Sequence, residues 1–184
     1  MNHNDSKISN GTLRLLALIA MICAAAALRI APHPWNFTPV GAMALFGGAL
    51  LRNKGMAFAL PLVALFAGDL FIGFHRLMPA VYASFLVSVA IGFLLRRRRT
   101  VLRVGGAALL GAVQFFLVTN FANWAILNTY PKTAAGLVAC YVAGIPFFRN
   151  TLAGDFFYCV LLFGGFVLLE RRFPLLREAE ATVP

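Results

Sequence analysis

PAVYASFLVSVAIGFLLRRRRTVLRVGGAALLGAVQFFLVTNFANWAIL occupies residues 79–127. Two apolar runs, each near the ~20 residues that cross a hydrocarbon core about 30 Å thick, flank Arg96, Arg97, Arg98 and Arg99. Four consecutive arginines invite a nucleic-acid reading. Placed between two apolar runs, they read instead as a cytoplasmic anchor, because basic residues in short loops collect on the inner side of a membrane. No nucleic-acid partner is expected. The stretch therefore sets both class and orientation: span 79–95 ends inside and span 104–127 starts there.

Composition agrees. Hydrophobic residues make up 61% of the 184 positions and charged ones 12%, against about 25% charged in a soluble domain. A soluble second domain has no room. Cys23, Cys140 and Cys159 lie scattered in apolar segments, without the spacing of a zinc site or disulfide framework, and read as packing residues. No metal, cofactor or catalytic constellation is expected, since no serine or cysteine stands beside a recognisable base.

Working outward from the arginines gives six spans at about 13–31, 38–51, 55–74, 79–95, 104–127 and 150–169. Tails 1–12 and 170–184 lie in the cytoplasm. The first span ends at Pro32 and Pro34, because proline removes an amide donor and disfavours helix in the residue before it. An A-x-A pattern at Ala25 and Ala27 also fits a cleavable signal peptide, but the thin basic region and the length favour an uncleaved helix. The second span takes Thr38 as N-cap with Pro39 at the first helical position. This topology puts twelve Lys and Arg residues inside and four (Arg29, Arg76, Lys132, Arg149) outside. A further crossing by the apolar stretch 134–148 would move Arg171, Arg172 and Arg177 outside, so 134–148 reads as an outer re-entrant or interfacial segment. The fold class is thus all-α: a polytopic six-helix bundle with both termini cytoplasmic, in the lipid bilayer of the bacterial inner membrane.

Function must come from the polar groups that lipid tolerates at a cost. An Asp at a helix centre costs about 2.5–3.5 kcal/mol on insertion scales, so buried acids tend to face a bundle interior. Asp69, near the end of span three, and Asp155, near the start of span six, both fall roughly 8 Å below the outer boundary at 1.5 Å per residue. Arg29, Asn36, His75, Tyr82, Asn120, Asn123, Trp124, Tyr141, Arg149 and Asn150 gather in the same outer layer, while the inner halves of the spans carry almost no polar groups. That asymmetry describes a pocket open to the outside, with these twelve residues as substrate-binding candidates. The alternative is structural: Asp69 paired with Arg29 and Asp155 with Arg149 as helix-locking ion pairs, and the asparagines as interhelical glue. Trp124 also suits an aromatic belt and His75 an interfacial position.

The run APHPWNFTPVGAMALFGGA after Arg29, GDLFIGFH around Asp69, FFLVTNFANW in span five and YPKTAAGLVACYVAGIPFFRNTLAGDFFY resemble a family of bacterial membrane proteins assigned to transport, without an established substrate. Size, topology and pocket polarity are also similar to the substrate-binding S components of energy-coupling-factor transporters. That resemblance implies a small-molecule solute such as a vitamin or cofactor precursor, and a coupling membrane protein with ATPases as partner; Ala20 and Ala24 match its A-x-x-x-A docking motif. The chain has no P-loop of its own. In this reading Arg29 and Arg149 hold an anionic or carbonyl group, Asp69 and Asp155 hold donors, and 134–148 is the lid. An ion-gradient-driven secondary transporter and a structural or assembly protein are the competing readings.

Overall fold

The computed structural model describes residues 3–177. Helices α1 (His3–Leu28), α2 (Val40–Leu50), α3 (Lys54–Ile72), α4 (Met78–Phe93), α5 (Val101–Ile126) and α6 (Ala134–Cys159) follow in order. A π turn, Val160–Gly164, carries α6 into α7 (Gly165–Arg172), and a 3₁₀ turn, Pro174–Leu176, follows. Among the described residues four stretches are long and apolar enough to cross a membrane: Asn10–Leu28, Lys54–Ile72, Val101–Ile126 and Ala134–Arg172. The all-helical bundle is the expected fold class.

Helix starts follow local chemistry. The Asn53 side chain accepts from the Met56 amide at 3.0 Å, Thr100 from Arg103 at 3.4 Å and Thr133 from Gly136 at 3.1 Å. Each oxygen satisfies an amide that has no partner inside its helix.

The chain departs from the sequence reading at α6. Stretch 134–148 and span 150–169 are one uninterrupted run of 39 residues, with Pro146 inside it. No re-entrant break separates them. Gly136, Cys140 and Gly144 are buried at i, i+4, i+8, one helix face: Gly136 lies against Pro131 of the connection and Gly144 against Asn120 and Phe116 of α5, and the Cys140 thiol donates to the Asn120 carbonyl at 3.4 Å. The α5–α6 turn is closed by Trp124 Nε1 on the Pro131 carbonyl at 2.9 Å, and by Lys132 Nζ on the carbonyls of Trp124 and Leu127.

The second departure is α2. It begins at Val40 with Pro39 as an N-cap that supplies no side-chain bond, and Thr38 lies outside it. Its 11 residues span about 16 Å, roughly half of a hydrocarbon core. Everything from Ala42 to Leu50 is buried, and the helix touches α1, α3, α4, α5 and α6. It is the axis of the bundle. Between helices in lipid, close packing replaces the hydrophobic drive available in water, and glycine supplies it here. A Cβ on Gly48 would lie 3.1 Å from the Gly92 Cα and collide with the Val89 carbonyl, so α2 and α4 approach backbone to backbone.

At one end of the bundle α2 is closed by arginine. Arg96 Nε donates to the Gly48 carbonyl at 2.9 Å and Nη2 to that of Leu51 at 2.8 Å, and its guanidinium lies over Phe93. The first arginine of the run is therefore a C-terminal cap for α2. At the same end Arg14, only 7% exposed, pairs with Glu170 at 2.6 Å and donates to the Leu176 carbonyl at 2.6 Å. These contacts bring the start of the bundle and its tail to one end.

Candidate functional site

Loop 29–39, between α1 and α2, is not helical after its opening turn. Asn36 adopts φ 62°, the left-handed region that asparagine enters at modest cost. Asn150 Nδ2 holds the Trp35 carbonyl at 2.9 Å, and Phe37 packs on Phe157 and Tyr158 at 5.6 and 5.8 Å between ring centres. Non-helical backbone beside a buried helix start is tolerated where protein or a cavity surrounds it. A cavity is present.

It has two adjoining lobes that share Asn36, His75, Val81, Phe115 and Thr151. The outer lobe, ≈ 310 Å³, lies beside the α3–α4 connection and the C-terminal part of α5. The deep lobe, ≈ 170 Å³, reaches Arg29, Thr38, Gly41, Ser88 and Asp155. Three helices supply walls as stripes at helical spacing. These are Leu77, Val81, Phe85 and Ser88 along α4 and its cap; Gly111, Phe115, Thr119 and Asn123 on α5; Gly144, Phe148, Thr151 and Asp155 on α6. Spacings of three and four put each set on one face.

Two charged groups meet the deep lobe, in different states. Arg29 Nη2 pairs with Asp69 Oδ1 at 2.7 Å, and its Nη1 donates to the Leu65 carbonyl at 3.2 Å. Tyr82 Oη donates to Asp69 Oδ2 at 2.6 Å. Asp69 is thereby spent on Arg29 and Tyr82, and its side chain does not line the cavity. The Arg29–Asp69 pair is the structural one foreseen as the alternative. Asp155 is only 3% exposed, and among the described residues the ion pairs are Arg14–Glu170 and Arg29–Asp69. Among the described residues no cation pairs with Asp155. Its carboxylate lies on the first turn of α2, where the Ala42 amide bonds to it. The partial positive charge of a helix start favours an anion there. Gly41 makes the approach possible: a Cβ on it would lie 2.7 Å from Asp155 Oδ2 and 2.8 Å from Cγ.

The twelve predicted residues divide accordingly. Arg29, Asn36, His75, Asn120, Asn123 and Asp155 line the cavity. Asp69 and Tyr82 stand behind Arg29. Trp124 holds the α5–α6 turn, and Tyr141 donates to the Leu117 carbonyl at 2.8 Å; neither lines the cavity. Arg149 and Asn150 line a separate depression with Pro146, Leu152, Ala153 and Phe156, and among the described residues Arg149 makes no ion pair with Asp155. The expected lid, 134–148, is a wall fixed to α5. Thr38, read from the sequence only as a helix cap, and Gly41, Phe85, Ser88, Phe115 and Thr151 were not among the predicted binding residues.

Polar groups are partly unspent. Asn120 Nδ2 bonds back to the Phe116 carbonyl at 2.8 Å, whereas the Asn123 Oδ1 is buried without a hydrogen-bond partner. Gln114 Nε2 donates to the Ser84 carbonyl and to Ser88 Oγ, both at 2.9 Å, which fixes Ser88 at the deep lobe. The inventory is one neutralised guanidinium, one carboxylate without an ion-pair partner among the described residues, hydroxyls, a free amide oxygen and the rings of Phe85, Phe115, Phe116, Phe147 and Phe148. Such a set can hold a small polar molecule.

Residues 9–176 match the family of unknown function DUF6580. No curated protein matches the chain, and no solved structure does.

Proposed function

We propose that this chain, which belongs to the DUF6580 family of unknown function, is a bacterial cytoplasmic-membrane protein that binds a small solute in an outward-facing cavity for uptake. The observation that carries the reading is the cavity itself, where three helical stripes converge on the cation-free carboxylate of Asp155 beside the start of a half-length helix. Broken or short helices whose ends meet a cavity near the middle of a bundle are a recurring way to build a solute site. The basic end of the bundle faces the cytoplasm under the positive-inside rule, which turns the cavity outward.

The solute is vitamin-sized or smaller and carries a donor for Asp155 and a donor for Asn123 Oδ1. Phe85 and Phe115 take its apolar part. Translocation resembles that of an S component emptied by a separate coupling protein with ATPases. A second reading rests on the same carboxylate: Asp155 takes up a proton in a gradient-driven carrier, and solute uptake by proteoliposomes of this chain alone, under an imposed pH gradient, would establish it.

The test is thermal-shift screening of the purified protein in detergent against vitamins, cofactor precursors and small amines. A ligand of the native state alone adds about 2.7 kcal/mol at a hundredfold excess over Kd. Stabilisation lost in Thr151→Val and Asp155→Asn but kept in Arg149→Gln supports the reading. Equal stabilisation of all four proteins would sink it.

A further inference from the structure

The opposite, arginine-rich end carries a cavity of ≈ 230 Å³ whose lining includes Arg14, Arg52, Arg96 and Arg99. It adjoins a larger one, ≈ 450 Å³, with which it shares Arg14, Leu50, Leu51 and Arg52. The larger cavity is walled on one side by Leu15 and Leu18 of α1, Met56 of α3 and Pro174 of the tail, and elsewhere by the polar Asn10, Asn53 and Arg177. Among the described residues no carboxylate lines either.

The charges here are unequally committed. Arg14 is held by Glu170, and Arg96 spends Nε and Nη2 on the end of α2. Arg52 and Arg99 are exposed and make no ion pair among the described residues. Val101 and Leu102, just beyond Arg99, are 91% and 86% exposed, an apolar shoulder beside a cationic cup. A free phosphate would use the guanidiniums and leave the leucine and methionine walls unfilled. A molecule with a phosphate head and a hydrocarbon chain fills both.

We propose that this pair of cavities binds one anionic phospholipid of the inner leaflet, its phosphate among Arg52, Arg96 and Arg99 and an acyl chain along Leu15, Leu18 and Met56 between α1 and α3. Basic pockets between helices at the cytoplasmic face are suited to anionic head groups. Arginine adds planar, multi-donor recognition of phosphate oxygens. The site lies across the bundle from the solute cavity and does not depend on the function proposed for that cavity.

The experiment is native mass spectrometry of the detergent-purified protein with phosphatidylglycerol, phosphatidylcholine or inorganic phosphate, backed by thermal shift. Wild type retains one phosphatidylglycerol in preference to phosphatidylcholine. Arg52→Gln with Arg99→Gln, both at exposed positions, lowers phosphatidylglycerol affinity on the order of thirtyfold, taking each surface charge at its usual worth toward an anionic membrane. Leu18→Trp, which fills the apolar wall, displaces the lipid while leaving the arginines in place. Unchanged phosphatidylglycerol binding in the double variant overturns the proposal. So does equal binding of phosphatidylcholine, or binding and stabilisation by inorganic phosphate that Leu18→Trp leaves intact, which would make this a phosphate site. An unfolded Leu18→Trp protein leaves the arginine variant and the lipid comparison to decide.

Discussion

Replacing Gly41 by alanine tests the contact at the floor of the deep lobe. The added methyl group would sit 2.7 Å from Asp155 Oδ2 and 2.8 Å from its Cγ, about an ångström inside ordinary contact. Asp155 belongs to a long helix braced along α5, and α2 is packed on every side, so neither element can simply retreat. Overpacking of this kind costs about 1–3 kcal/mol. Against it stands the helix preference for alanine over glycine, up to ~1 kcal/mol. Asp155→Ala removes the obstruction and, by itself, leaves the Ala42 amide unpaired for about 1–3 kcal/mol. The two changes must therefore be non-additive. Gly41→Ala destabilises the wild type but is neutral or slightly stabilising in the Asp155→Ala background. Thermal unfolding in detergent reads this directly, at roughly 2–4 °C per kcal/mol for a chain of this size. Equal losses from Gly41→Ala in both backgrounds would refute the contact as the reason for the glycine.

Other outcomes follow from the same geometry. Arg29→Gln strands Asp69, whose side chain is 4% exposed, and costs about 3–5 kcal/mol as a broken buried pair, whereas Arg149→Gln, on an exposed side chain, changes Tm by less than about 2 °C on the same scale. Asn123→Leu removes a buried oxygen without a partner; it leaves the protein as stable or up to ~1 kcal/mol more stable, and it weakens solute binding in the thermal-shift panel. Arg96→Gln loses charged bonds to the Gly48 and Leu51 carbonyls, about 1.5–3 kcal/mol. Amide exchange then accelerates in the last turn of α2.

Helix content and the apolar, all-helical class were legible because apolar runs speak through length and composition alone. The candidate acids were legible for the same reason: Asp69 and Asp155 are conspicuous in apolar surroundings. What they do was not. Whether a carboxylate is spent on a guanidinium or left facing a cavity depends on partners distant in sequence, Arg29 and Tyr82 in one case and Gly41 in the other. The α6 stripe of Gly144, Phe148, Thr151 and Asp155 has helical spacing, but a boundary placed at Arg149 and Asn150 cut it in two. Charge counting does not distinguish a re-entrant segment from the outer turns of one long helix, since both leave Arg171 and Arg172 on the same side. The shortness of α2 was visible; its centrality was not, because a glycine-rich apolar run reads alike at the axis of a bundle and at its rim.

The two ends of α2 are finished by side chains made at different times. Arg96 arrives after α4, and Asp155 only with the last third of the chain. During synthesis the ribosome thus delivers an 11-residue apolar helix long before its final partners exist. Helices this short are marginal when isolated, and this one is too short to hold a place in a bilayer unaided. Its place depends on contacts with α1, α3, α4, α5 and α6. The residue that meets the start of this central helix is also the residue at the floor of the cavity.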